Sequence, residues 1–216
     1  RLNDLNIKGS DSIFAFHHLE NMMTQSNHDH QSVRSKEQKN SRSNSTETKI
    51  IEERRAKAEE MRAQGQNPFA NDFKVTHVAS QLASQFEEFS TEELDQSIKE
   101  GQAVTFSIAG RLMAKRSFGK VAFGSLRDRS GDLQLSFFKL ELSTEIWSSM
   151  KKSDLGDIIG CEGMMMRTQK GELSLKVTHF RVLTKSLRPL PDKFHGLTDT
   201  ATRYRQRYVD LIVTPE

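Results

Sequence analysis

The spacing of apolar residues changes twice along the chain. Up to residue 45 it has no period. Residues 21–45, NMMTQSNHDHQSVRSKEQKNSRSNS, are rich in Ser, Asn, Gln and His. Such a segment has too little apolar surface to offset the entropy of ordering. A disordered or targeting tail is predicted over 1–45. The stretch ETKIIEERRAKAEEMRAQ then consists of strong helix formers. Ile50, Ile51, Arg54, Ala58 and Met61 fall on one thin stripe, and Gly65 and Pro68 end the helix. Residues 67–77, NPFANDFKVTH, read as an ordered extended linker. Thr76 is placed to cap a short helix through VASQLASQF. Ser90 with Glu93 forms a capping box for STEELDQSIKE, and Gly101 closes it. Residues 46–103 are thus a helical extension.

From residue 104 the period becomes two. Strands are predicted at 104–116, 120–127, 132–138, 157–167 and 172–183, with a helix at 143–152. An all-β barrel of this order is a five-stranded OB-fold, here over 104–187 with N-terminal helices. An SH3-like barrel lacks a helix between the third and fourth strands. Gly110 is placed to let the long first strand bend. Trp147, in the inserted helix, is expected to plug one end.

Alternation sets the faces. On the third strand Leu133, Leu135 and Phe137 point one way, taken as inward, and Gln134, Ser136 and Phe138 the other. On the fifth, Leu173, Leu175 and Val177 face in, and Glu172, Ser174 and Lys176 face out. The second strand admits two arrangements. Either Ala122, Gly124 and Leu126 fill the interior and Phe123 stands outside near Gln134, or Phe123 is core and Gln134 ordinary surface. In the first arrangement Phe123 is a platform for a base, and Gln134 and Glu172 can read base edges. Lys115, Arg116 and Lys120 lie in the first hairpin, where phosphates would pass.

Charge sharpens this picture. The 216 residues carry a formal net charge of +3, but 105–190 holds 15 Lys and Arg against 8 Asp and Glu. A local basic excess suits a phosphate backbone, although charge runs are also often plain solvated surface. Arg54 and Arg55 on the first helix have the same two readings. No run of eighteen apolar residues is present, so no membrane span is expected. The first twenty residues lack the pattern of a secretory signal. A single cysteine, Cys161, allows no internal disulfide and reads as packing. His28 and His30 have no thiolate near them, and no metal site is expected.

Four stretches carry a family resemblance: GRLMAKRSFGKVAFGSLRD, SDLGDIIGCEG, TQKGELSLKV and LTKSLRPLPDKFHGLTDTATRYRQRYVDL. From Glu47 to Val213 the chain resembles the N-terminal part of bacterial-type lysyl-tRNA synthetases, a class II family. The resemblance implies that the barrel binds the uridine-rich anticodon stem-loop of lysine tRNA. Phe123 would stack on the central base, and Gln134 and Glu172 would contact uridine edges. Lys115 and Arg116 would be the basic pair before the hairpin turn. Bacterial members often carry Arg at the first of these, and Lys is a point charge where Arg is a fork. Lys120, Arg54 and Arg55 would meet RNA backbone. The resemblance further implies a full-length cytoplasmic or organellar homodimer that uses ATP and magnesium to attach lysine to tRNA through lysyl-adenylate. Residues 188–216 would lead into its catalytic domain. The motifs that hold ATP are absent from these 216 residues, so the chain by itself is expected to be inactive and to hold no cofactor. The alternative is a free-standing OB-fold module that binds single-stranded RNA. A lone module would have no need of the RPLPDKFHGL segment.

Overall fold

The structure, a computed structural model, describes residues 46–191, 197 and 199–214. The predicted tail with His28 and His30 lies outside them. Helix α1 occupies 46–63, and the compact unit described below starts at Ile50. Helices α2 (Ala79–Gln85) and α3 (Thr91–Lys99) follow. The barrel consists of β1 (Phe106–Phe118), β2 (Val121–Arg127), β3 (Asp132–Phe138), helix α4 (Thr144–Lys152), β4 (Ile158–Arg167) and β5 (Leu173–Thr184). Helices α5 (Thr200–Arg205) and α6 (Arg207–Val213) end the described chain.

The sheet closes in the order β1-β2-β3-β5-β4, with β3 and β5 parallel and the other pairs antiparallel. This is a closed five-stranded barrel preceded by helices, the OB-fold predicted from the pattern of strands. β1 is long enough to pair with β4 through its first half and with β2 through its second. Gly110 sits at the changeover. A Cβ there would lie 2.5 Å from the Arg127 carbonyl oxygen, so the strand can turn only without a side chain.

Leu112, Leu126, Leu135, Phe137, Ile159, Leu175, Val177 and Phe180 fill the interior. Burying a side chain of this size stabilises the fold by about 1.5–3 kcal/mol. Trp147 and Met150 of α4 join the same core. Cys161 is fully buried, and that burial pushes its thiol well above its ordinary value. It is inert packing.

The helices differ from expectation in one cap. Thr76 does not start α2. Its hydroxyl accepts from the Ser107 amide at 2.9 Å, and its own amide donates to the Ser107 carbonyl at 2.9 Å, so it binds the linker to β1. The first amides of α2 are met from the β2–β3 turn. Ala79 N–H donates to Asp128 Oδ2 at 2.7 Å and Ser80 N–H to Ser130 Oγ at 2.9 Å. A carboxylate at a helix N-terminus satisfies an orphan donor and opposes the helix dipole. The predicted capping box of α3 is present: Ser90 Oγ accepts from Glu93 N–H at 3.2 Å, and Glu93 Oε2 from Ser90 N–H at 2.8 Å. Arg167 holds the α2–α3 connection by donating to the carbonyls of Phe86, Glu87 and Phe89.

The linker lies on the barrel as an extended chain, bridging Phe69 to Thr184. The Phe73 ring covers β4 where Gly160 leaves room, since a Cβ there would come within 2.9 Å of it. At the C-terminal end, α5 and α6 are two helices broken at Gln206. Asp210 there accepts from Arg203 at 3.0 Å and Arg207 at 2.9 Å, gathering both helices on one buried carboxylate.

Candidate nucleic-acid interface

The pairing register places the outer residues of four strands in rows. One row runs Arg116 (β1), Phe123 (β2), Ser136 (β3), Lys176 (β5). The next runs Ala114, Ser125, Gln134, Ser174. On the far side of the Phe123 row, Phe118, Val121 and Phe138 are aligned.

Phe123 belongs to the outer face. Ala122, Gly124 and Leu126 are buried, while Val121, Phe123 and Ser125 are half-buried. The interior is the reason. Gly124 faces Leu112 and the Phe137 ring, each within 3.5 Å of where its Cβ would be, so a phenylalanine on that face could not fit. Gly124 therefore makes room for the core.

Gln134 is half-buried on the outer face, one row away from Phe123. Glu172 is exposed and comes one residue before β5, two positions before Ser174. Because β3 and β5 are parallel, Glu172 follows on from Gln134 at the edge of the same face. Ser136 and Ser174 share this side but are buried, in contrast to the outward exposure expected for both. Their hydroxyls meet at 2.7 Å, and Ser174 Oγ donates to the Gln134 carbonyl at 3.2 Å. The small pair forms a low floor between Phe123 and Lys176, the flanking residues of the Ser136 row.

The basic residues divide. Arg116 is exposed directly across from Phe123, with no partner among the described residues. Lys120 is exposed at the β1–β2 turn. Arg55 is exposed on α1. Lys115 and Arg54 are engaged with the protein. Lys115 Nζ donates to the carbonyls of Met150 at 3.0 Å and Lys151 at 2.9 Å, at the C-terminus of α4. A cation there satisfies orphan carbonyls and the helix dipole. Burial pushes its ammonium below the ordinary lysine value. Its ammonium, expected to meet a phosphate, is here engaged by main-chain carbonyls.

Arg54 is 8% exposed. It donates to the carbonyls of Ser186 at 2.9 Å, Arg188 at 3.1 Å and Leu155 at 3.1 Å. It fastens α1 to the barrel and to the segment after β5, and so does not face outward to RNA. Beside it Lys57 pairs with Asp154 at 2.6 Å, and buried Lys185 pairs with Asp157 at 2.7 Å.

Sequence reasoning passed over Phe118. It is 63% exposed at the end of β1, and its ring centroid lies 6.5 Å from that of Phe123, tilted by 57°. Lys176 was read only as outward. Its Nζ sits 5.6 Å from the centre of the Phe138 ring and 2.7 Å from Glu141 Oε2. The available signal for Phe118 was an aromatic residue immediately before the Gly119–Lys120 turn. Among the described residues no group of three or more His, Cys, Asp and Glu is placed to hold a metal ion. Among them, too, no helix is long and apolar enough to cross a membrane.

The closed OB barrel thus carries aromatic, amide and basic residues together on one outer face. Residues 106–183 match the tRNA anticodon family, described as an OB-fold nucleic acid binding domain. The chain is 49% identical over 170 residues to the lysine–tRNA ligase of Paraburkholderia phytofirmans, covering 79% of this chain and 32% of the relative. The lysine–tRNA ligase of Cupriavidus necator gives the same identity and coverage. That of Burkholderia pseudomallei is 48% identical over 170 residues, with 79% and 32% covered. The chain thus carries an OB-fold domain of the kind matched over 106–183, is similar to lysine–tRNA ligases over 170 residues, and spans about a third of the length of those relatives.

Proposed function

We propose that the barrel binds the anticodon stem-loop of lysine tRNA, with its outer β1-β2-β3-β5 face against the unpaired bases. The observation that carries this reading is the row in which Phe123 stands outward opposite Arg116, with Gln134 one row away. Phe123 stacks on the central base. Gln134 offers both a donor and an acceptor, and Glu172 accepts, so together they suit the edge of a uridine. Arg116, Lys120 and Arg55 meet phosphates, which position the loop without reading it. Lys115 and Arg54 support the fold behind this face.

The longer protein, on this reading, is a lysine–tRNA ligase: a cytoplasmic or organellar homodimer that joins lysine to its tRNA with ATP and magnesium. The similarity to such ligases extends over 170 residues, well beyond 106–183, which favours this reading over a free-standing RNA-binding barrel. ATP chemistry is assigned to no residue of this chain.

The test is filter binding of the chain to two lysine tRNAs, one with its natural anticodon and one with the central base changed. The natural tRNA should bind more tightly by about tenfold or more, the worth of one stacked and read base. Equal binding of the two would overturn the reading. Gln134→Ala and Glu172→Ala should each narrow the gap between them.

A further inference from the structure

Beside the Phe123 row lies a second aromatic surface with no role in the reading above. Phe118 is 63% exposed at the hairpin end, and Leu140 is 80% exposed in the loop after β3. Val121 and Phe138 are half-buried in the same row as Phe118. A main-chain bond joins the two loops: Lys139 N–H donates to the Lys120 carbonyl at 2.9 Å. The exposed side chains of Lys120 and Lys139 therefore arise from backbone held together, and neither has an ion-pair partner among the described residues.

We propose that Phe118 is a second base-stacking platform, taking the nucleotide next to the one on Phe123, with Lys120 and Lys139 at the phosphates flanking it. This rests on the anticodon reading and extends it. Continuity is the first argument. The two rings are 6.5 Å apart and tilted by 57°, so they offer separate faces and not one shared sandwich. Successive bases of a single strand stack on successive aromatic side chains in this way, while a positive groove follows the backbone. Charge is the second. The surface is rimmed by Arg116, Lys120, Lys139 and Lys176, and the nearby carboxylate of Glu141 already pairs with Lys176 at 2.7 Å. A polyanion fits such a rim, and an acidic or neutral apolar protein segment would leave the aromatic faces without a matching flat group. Exposure is the third. A phenylalanine this exposed contributes little to the core, so its removal leaves the barrel standing.

The experiment uses the full chain and anticodon stem-loop RNAs in which one base at a time is replaced by an abasic site. Phe118→Ala should weaken binding to the intact loop by about tenfold, and Phe118→Trp should restore it. On one of the two loops lacking a base beside the centre, Phe118→Ala should cost nothing further. On the loop lacking the central base it should still cost about tenfold. Thermal unfolding of Phe118→Ala should match the parent chain. Full affinity in Phe118→Ala, with Phe123→Ala impaired, overturns the second platform and leaves the anticodon reading in place. Full affinity in both variants overturns both. An equal loss for Phe118→Ala on every abasic loop also overturns the platform, because the ring then touches no particular base.

Discussion

Gln134 and Ser174 stand side by side across the parallel β3–β5 pair, and the Ser174 hydroxyl donates to the Gln134 carbonyl at 3.2 Å. This closure sets the Gln134 side chain next to the strand that Glu172 leads into. The same hydroxyl meets Ser136 at 2.7 Å with no exposure to water. Ser174→Ala should therefore cost about 1 kcal/mol of stability, the usual net worth of a hydrogen bond. Urea unfolding measures this directly.

Arg54 and Arg55 are sequence neighbours with opposite surroundings, the first buried and the second exposed. Removing the Arg54 guanidinium leaves three carbonyls without their donor. Arg54→Ala should destabilise by about 3 kcal/mol, the cost of leaving several carbonyls without their charged donor. Arg55→Ala should stay within about 0.5 kcal/mol of the parent. In RNA titrations against salt, Arg55→Ala should lower the slope by about one, the loss of a single phosphate contact. An Arg54→Ala chain with unchanged unfolding would refute the clamp.

A parallel split applies to Lys115 and Arg116. Lys115→Met should lower the unfolding midpoint by loosening the end of α4, where its ammonium meets Met150 and Lys151. Arg116→Met should leave the midpoint alone, weaken RNA binding, and reduce the salt slope by about one. The reverse pattern would return the phosphate role to Lys115.

These two pairs show what was legible in the sequence and what was not. The strands were, because the alternation over 106–138 and 158–184 reports a half-buried sheet directly. The outward position of Phe123 was half-legible. Its strand alternates equally well in either sense, and only packing of Leu112 and Phe137 against Gly124 settles which face is inner. The duties of Lys115 and Arg54 were hidden, since their acceptors are main-chain carbonyls remote in sequence, which no side-chain pattern announces. Arg54 did carry a hint: it stood on the stripe with Ala58 and Met61, where an ordinary surface arginine would not. Thr76 likewise had the chemistry of a cap but met Ser107 first.

Asp128 gives a pH test. Burial raises its carboxyl, but hydrogen bonds from Ser130 and the amides of Ala79 and Gly131 outweigh this and hold it below the ordinary carboxylate range. A depressed carboxyl contributes stability that is fully present above its unfolded value of about 3.9 and is lost as pH falls through the lower folded value. The parent chain should therefore be more stable than Asp128→Asn at pH 7, and the two should converge in acid below the ordinary range. Urea unfolding at both pH values decides it. A difference that persists unchanged in acid would remove the carboxylate's part in holding α2.

The proposed anticodon binding depends most on what the Phe123 ring touches. The decisive measurement is a double cycle on the anticodon stem-loop of lysine tRNA, pairing Phe123→Ala with an abasic site at the central base. Either change alone should weaken binding by about tenfold, and the two together by no more than one of them. Losses that simply multiply, or a Phe123→Ala chain that binds the intact loop at full strength, would contradict it.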